Sequence, residues 1–438
     1  MGGSDGELVG GAIFNRIFLV VPGALLITDL ALLGSGQWSD ILGFSVRKLL
    51  LLILAGYSTL LWVRSSSPLP HTFSGVAALA LFVTGWSVMI PLLHNTPLSS
   101  ALADSQLFLG LLFAPALALA IARANCWSGA LRLIERLIWI LALLHIAIFW
   151  YEKFSGDGAT GLVTAMRSVL EPGRSEDETS VFIGPIAEGF RVFWGSSVFL
   201  LLGLYLSIRN FARRRFLIGI LIIILISYAI QLTLTRAMLL SVPIFLVLSW
   251  LFDRSLNLLR LGPVLYLLVG VVLLMLTLPV VLMADPHLLT AIGLGREISD
   301  DLRYQQVMAL GNAIMANPWF GSGLGAHVDL IRSEGAPWSY ELSMLALYMK
   351  TGFFGVLLLL WVFIVFVHSV AIEIPSYESL SESARRAIPR IAALLFCIIF
   401  CSNTNPYLFS MLGWGLLMFV YIEFFVTMQK QPFVGAPV

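Results

Sequence analysis

The chain has 438 residues, of which 59% are hydrophobic and only 12% charged, and a mean hydropathy of +0.93. That much apolar side chain exceeds what a soluble fold of this length hides, so lipid is its natural solvent. A net charge of +1 provides no global field for nucleic acid or acidic substrates. Three cysteines, Cys126, Cys397 and Cys401, without histidine at ligand spacing, argue against both a disulfide framework and a zinc site.

The apolar runs are continuous rather than alternating. Only helices or closed barrels satisfy backbone polar groups in hydrocarbon, so the expected fold class is all-α, a polytopic membrane protein read as one integral membrane domain over 1–438. About twelve spans are predicted, near 12–34, 47–63, 74–94, 106–123, 132–151, 190–208, 216–233, 236–252, 262–284, 341–370, 388–403 and 407–428, with boundaries good to roughly ±4 residues. The first reads as a retained signal anchor, and no soluble domain, repeat or low-complexity segment interrupts the series.

Lysine and arginine set the expected orientation. The basic segments RANCWSGALRLIER (123–136), RNFARRR (209–215), DRSLNLLR (253–260) and ESARRAIPR (382–390) fall on one side of such a bundle, which is then the cytoplasm, and both termini join it. The opposite side receives two long loops, 152–189, with its acidic EPGRSEDETS, and 285–340. Loops of this length in a compact bundle are usually functional or disordered. The second is too rich in Trp, Phe, Leu and Ile to be disordered, and is expected to fold as short helices.

Several polar residues of this outer face call for an explanation. Arg191 is expected at the start of the sixth span and Arg236 at the start of the eighth, on the side where the topology rule supplies few cations. Snorkelling to the headgroups explains either one alone. Arg236 follows the Thr-rich turn LTLT, and its nearest carboxylates in sequence are Glu188 and Asp253, so a phosphate-bearing ligand is a reasonable partner. In the second loop, Arg296 and Arg303 precede an amphipathic helix from Arg303 to about Met315, with Val307, Leu310 and Ile314 on one face. Pairing of Arg303 with Asp300 or Asp301 is the structural alternative.

The NPWFGSGLG that follows is a turn in which Gly321, Gly323 and Gly325 permit close backbone approach to a neighbour or ligand, with no lysine after it as in a phosphate loop. Tyr340 and Glu341 stand where the loop re-enters the membrane. A carboxylate there either answers the helix macrodipole or serves as a general base at the water–lipid boundary. Asn403 and Asn405 in NTNPYL could bond sugar hydroxyls or cap the last helix. No Asp-x-Asp occurs, against a carboxylate-held metal at a nucleotide-sugar site, and His287 and His327 stand alone.

An arginine-led short helix, Pro-x-x-Gly-x-Gly, a variable loop and a closing Gly-x-x-Gly resemble the signature region of the O-antigen ligase and Wzy-type polysaccharide polymerase superfamily of the C-type glycosyltransferase class. The matching positions are Arg303, Pro318, Gly321, Gly323, Gly352 and Gly355, and LTLTRA resembles that family's Ser/Thr-Arg turn with Arg236 as its arginine. Glu341 falls where ligases usually carry His, so the chain looks more like an exopolysaccharide repeat-unit polymerase than a ligase that joins glycan to lipid A-core.

The resemblance implies a multi-pass protein of the bacterial inner membrane with a periplasmic active site. The donor would be an oligosaccharide on undecaprenyl pyrophosphate and the acceptor a sugar hydroxyl of the next lipid-linked unit, joined by metal-free, cofactor-free inverting transfer. It assigns Glu341, Arg236 and Arg303 to catalysis. Arg191, Arg296, Tyr340, Gly321, Gly323, Asn403 and Asn405, all expected on the outer face, are the candidate substrate-binding residues. A chain-length regulator and a flippase are the implied partners beside the bilayer. The rival class is a twelve-helix transporter or flippase. Against it, polar residues gather at one face, whereas transporters place substrate near the midplane.

Overall fold

The computed structural model describes residues 16–34, 40–41, 44–64, 70–155, 182–186, 189–210, 216–258, 297–330, 336–371, 381–402 and 409–429. The expected span 262–284, most of the loop 152–189, Arg296, Asn403 and Asn405 lie outside them. The described residues are predominantly helical and fall into two compact units.

The first unit holds Met1–Ser67, Phe113–Leu248 and Gly415–Lys430. It begins with a π-turn, Arg16–Val20, that runs into α1 (Val21–Leu33), followed by the strand pair β1 (Asp40–Ile41) and β2 (Phe44–Ser45) and by α2 (Val46–Val63). Ser45 caps α2 by accepting from the amide of Lys48. Helices α7 (Ala114–Arg123), α8 (Trp127–Ser155), α9 (Leu200–Arg209) and α10 (Phe216–Leu232) complete its helical layer, with the first part of α11 (Arg236–Leu258) and most of α15 (Met411–Gln429). An antiparallel hairpin, β3 (Phe182–Ile186) and β4 (Gly189–Phe193), pairs Gly184 with Arg191 and leads through a 3₁₀ turn, Gly195–Phe199, into α9. The described residues are mostly helical, as expected, and the two short strand pairs are the departure from an all-α chain. Residues 190–193, taken as the opening of the sixth span, are a strand, because GFRVF pairs antiparallel with the apolar FIGPI.

The second unit holds Pro68–Leu112, Ser249–Trp414 and Gln431–Val438. Its helices are α3 (Pro70–Thr84), continued by a π-turn, Gly85–Met89, into α4 (Ile90–Leu93), then α5 (Leu98–Asp104), α6 (Gln106–Leu111), α12 (Glu297–Ala316), α13 (Ser343–Ala371) and α14 (Glu382–Ser402). The expected amphipathic helix is α12, and Val307, Leu310 and Ile314 are all buried against Tyr340, Leu342, Leu345, Ala346 and Met349.

Seven helices of the described residues are long and apolar enough to cross a membrane: Val46–Val63, Ser74–Leu93, Gln106–Arg123, Trp127–Ser155, Arg236–Asp253, Ser343–Val365 and Met411–Gln429. Ile17–Leu32, Gly195–Arg209 and Leu217–Leu232 are apolar but shorter. The run 388–403 lies in α14, whose Glu382, Arg385, Arg386 and Arg390 keep it out of this group.

Candidate functional site

Helix α13 contains one residue with non-helical backbone, Gly352, at φ 61° and ψ −172°, a region open essentially to glycine alone. The break strands the last carbonyls of the first piece and the first amides of the second, as any helix end does. The NPWFGSG turn satisfies both sets. The amides of Ser322 and Gly323 donate to the carbonyls of Met349 and Lys350 at 3.0 and 2.8 Å. In return the amides of Phe353 and Phe354 donate to the carbonyls of Pro318 and Trp319 at 2.9 and 3.0 Å.

Trp86 completes the stitch. Its indole Nε1 donates to the carbonyls of Thr351 and Phe320 at 2.8 and 2.7 Å. Its own carbonyl is left over by the π-turn: the amide of Ile90 bonds Gly85, and the next position is Pro91, which has no N–H. The amide of Leu324 takes that carbonyl at 2.8 Å.

This explains the glycines. A Cβ on Gly321 would stand 2.4 Å from the Lys350 carbonyl, one on Gly323 2.7 Å from the Pro91 ring, and one on Gly352 2.5 Å from the Gly321 nitrogen. The amides of Gly321 and Gly323 are committed to Asn317 and Lys350. In this structure both residues form a close-packed backbone joint, and what they offer a ligand is its rigidity.

Beneath the joint lies a buried ion pair. Lys350 Nζ is 2.7 Å from Asp104 Oδ2 and also donates to the Trp338 carbonyl at 2.8 Å. The same Asp104 oxygen accepts the Gly325 amide at 2.8 Å. Both side chains are about 5% exposed or less, so the turn, α5 and α13 are locked by charge as well as by shape.

On this scaffold stand Arg303 and Glu341. Arg303 lies on α12, on the turn before Val307, and Glu341 two residues before α13 begins. Arg303 Nε donates to Glu341 Oε2 at 2.9 Å across 38 residues of sequence. The side chains are 23% and 18% exposed, so the pair sits at the rim of the packed cluster, reachable from outside. Tyr340 is in the cluster itself, 1% exposed, its hydroxyl accepting the Val328 amide at 2.8 Å. Burial pushes its phenol above the usual tyrosine range. Beside the kink, Trp319, Phe320, Phe353 and Phe354 form an exposed aromatic cluster with centroids 5.1–6.0 Å apart.

In the first unit, Arg191 and the turn before Arg236 meet. Arg191 Nε donates to the Thr233 carbonyl at 2.9 Å, its Nη2 reaches Thr235 Oγ1 at 3.5 Å, and its guanidinium lies 4.8 Å from the Phe193 ring. The turn is tight: Leu234 has φ 46°, Thr233 and Thr235 are buried, and the Thr235 amide donates to Thr233 Oγ1 at 3.3 Å. Arg236 is the first residue of α11, as expected. Two arginines far apart in sequence thus share one turn.

Buried polar groups elsewhere escaped the sequence reading. Glu423, in the apolar α15, is fully buried and accepts from Trp127 Nε1 at 2.5 Å and Tyr205 OH at 2.7 Å, with Arg209 Nε 3.2 Å away. His145 Nδ1 faces the Leu141 carbonyl at 2.8 Å and Nε2 faces Ser197 Oγ at 2.8 Å, with the ring stacked on Trp194. A carbonyl only accepts, so Nδ1 carries the proton and, in the neutral ring, Ser197 donates to Nε2. Charged and polar residues within the spans are therefore less sparse than the sequence suggested, and Glu423 and His145 are matched by partners on other elements. Among the described residues, no group of three or more His, Cys, Asp and Glu gathers at metal-ligand distance. No family model, no curated protein and no solved structure matches the chain.

Proposed function

We propose that the protein is a polysaccharide polymerase that joins undecaprenyl-pyrophosphate-linked repeat units at the periplasmic face of the inner membrane. The observation that carries this reading is the contact between Arg303 and Glu341, since two residues 38 positions apart, read from the sequence as charge stabiliser and base, meet at 2.9 Å on a rigid support. The exposed Trp319 beside Gly352 supports a site at the membrane boundary, because tryptophan favours the headgroup level. Beyond Gly352, α13 continues to Ala371, roughly 28 Å at 1.5 Å per residue, close to the hydrocarbon thickness of ~30 Å.

In this reaction the acceptor hydroxyl gives its proton to Glu341 as its oxygen bonds the anomeric carbon. The bond from that carbon to the pyrophosphate oxygen breaks from the opposite face, with inversion. Undecaprenyl pyrophosphate leaves with the bonding electrons, and the guanidinium of Arg303 stabilises the charge that develops there. In the first unit Arg191, which donates to the Thr233–Thr235 turn, and Arg236, which follows it, remain candidates for binding phosphate. The polyprenyl chain stays in lipid throughout.

Elongation by Glu341→Gln tests the assignment. The amide keeps size and hydrogen bonding but takes no proton, and general-base assistance is worth about 10²–10⁴ in rate. The variant should express as the wild type, bind the lipid-linked donor and elongate at least about a hundredfold more slowly. Near-normal elongation removes Glu341 from the chemistry.

A further inference from the structure

The Arg303–Glu341 pair presents a conflict that the proposed reaction must resolve. A guanidinium neutralised by a carboxylate attracts a phosphate less, and the carboxylate oxygen that accepts its N–H has one acceptor site fewer for a hydroxyl. Neither residue is placed by chance contact of long, loose side chains. Arg303 projects from a helix fixed by Val307, Leu310 and Ile314, and Glu341 is fixed between buried Tyr340 and buried Leu342. Arg303 Nε lies 2.9 Å from Glu341 Oε2, and both side chains are partly open to solvent. Such a partly open pair is more easily exchanged than the enclosed Lys350–Asp104 pair.

We propose that the donor's pyrophosphate and Glu341 compete for Arg303, so that donor binding itself frees the carboxylate to receive the acceptor hydroxyl. This rests on the polymerase reading above and deepens it. In the resting pair Oε2 of Glu341 accepts the Arg303 N–H. The incoming pyrophosphate takes the guanidinium, with its greater negative charge and bidentate fit to the fork. Oε2 of Glu341 then gives up the Arg303 N–H and can take a hydrogen bond from the acceptor hydroxyl. Binding is therefore ordered, donor before acceptor, and a lone acceptor meets an engaged base.

The test is equilibrium binding of undecaprenyl pyrophosphate to the purified, monodisperse protein in detergent, for the wild type, Glu341→Gln, Arg303→Ala and the double variant. Removing the competing charge should tighten binding by Glu341→Gln up to about fivefold, the range set by a partly exposed ion pair. The gain should vanish in the Arg303→Ala background. Glu341→Ala provides the same comparison should the Gln variant fail to fold. Equal or weaker binding by the Glu341 variants, with the wild type binding normally, overturns the exchange and leaves the donor assignment standing. Absence of wild-type binding overturns the donor assignment and the exchange with it. Phosphatidylglycerol forms the second arm. The same gain with that lipid would make Arg303 a general headgroup clamp and overturn the pyrophosphate assignment.

Discussion

Replacing Asp104 by Leu leaves Lys350 in a site where its side chain is 5% exposed, with the Trp338 carbonyl as its remaining hydrogen-bond partner. The Gly325 amide loses its acceptor in the same step. Breaking a buried pair by removing one partner costs about 3–5 kcal/mol, because the surviving charge is uncompensated. At roughly 2 °C per kcal/mol for a large domain, Tm falls by about 6–10 °C. Asp104→Asn separates the two terms. It keeps an oxygen for Gly325 but removes the charge, so it should destabilise nearly as much if the ion pair dominates. The double variant Asp104→Leu with Lys350→Met removes both charges and should recover most of the loss, since apolar replacement of a buried pair is often neutral. Thermal unfolding of the detergent-solubilised protein, followed by intrinsic tryptophan fluorescence, measures all four proteins. A wild-type Tm in either single Asp104 variant, or a double variant less stable than both singles, refutes the reasoning.

Gly352→Ala forces a β-carbon into the Gly321 backbone and a strained φ, and should cost at least about 3 kcal/mol, seen as lost monodisperse protein on size exclusion. Gly323→Ala meets the Pro91 ring and should behave alike. Arg236→Lys keeps the charge but loses the planar fork, so the folded protein should persist while polymer output falls by most of its value, and normal output would reduce Arg236 to a membrane anchor. Glu423→Gln turns an amide N–H₂ toward one of two donors, Trp127 or Tyr205, and should lower Tm by roughly 4–6 °C at about 2–3 kcal/mol, with an unchanged Tm contradicting the network.

Much of the architecture was legible because lipid imposes long apolar runs. The amphipathic face of α12 was read correctly from a three-to-four residue period, and Arg236 and Glu341 were placed correctly at helix starts by the residues around them. Arg191 was misplaced because the β-hairpin is as apolar as the helix that follows, and composition cannot separate a strand from a helix in such a run. The glycines of the 321–325 turn were correctly expected to permit close approach. What approaches them, the broken backbone of α13, could not be inferred, since a lone Gly352 inside an apolar helix carries no mark of its conformation. Asp104, Lys350, Glu423 and His145 were passed over because their partners lie far away in the chain, and a buried charge announces itself only through its partner.

The central claim is that this chain alone catalyses metal-independent polymerisation. The most direct measurement is incubation of the purified protein in detergent with a lipid-linked repeat unit and EDTA, with products resolved by size. A ladder of integral multiples of the repeat unit is the predicted result. A donor left at its starting length by a folded, donor-binding protein, or a ladder that forms only when EDTA is replaced by a divalent cation, would contradict it.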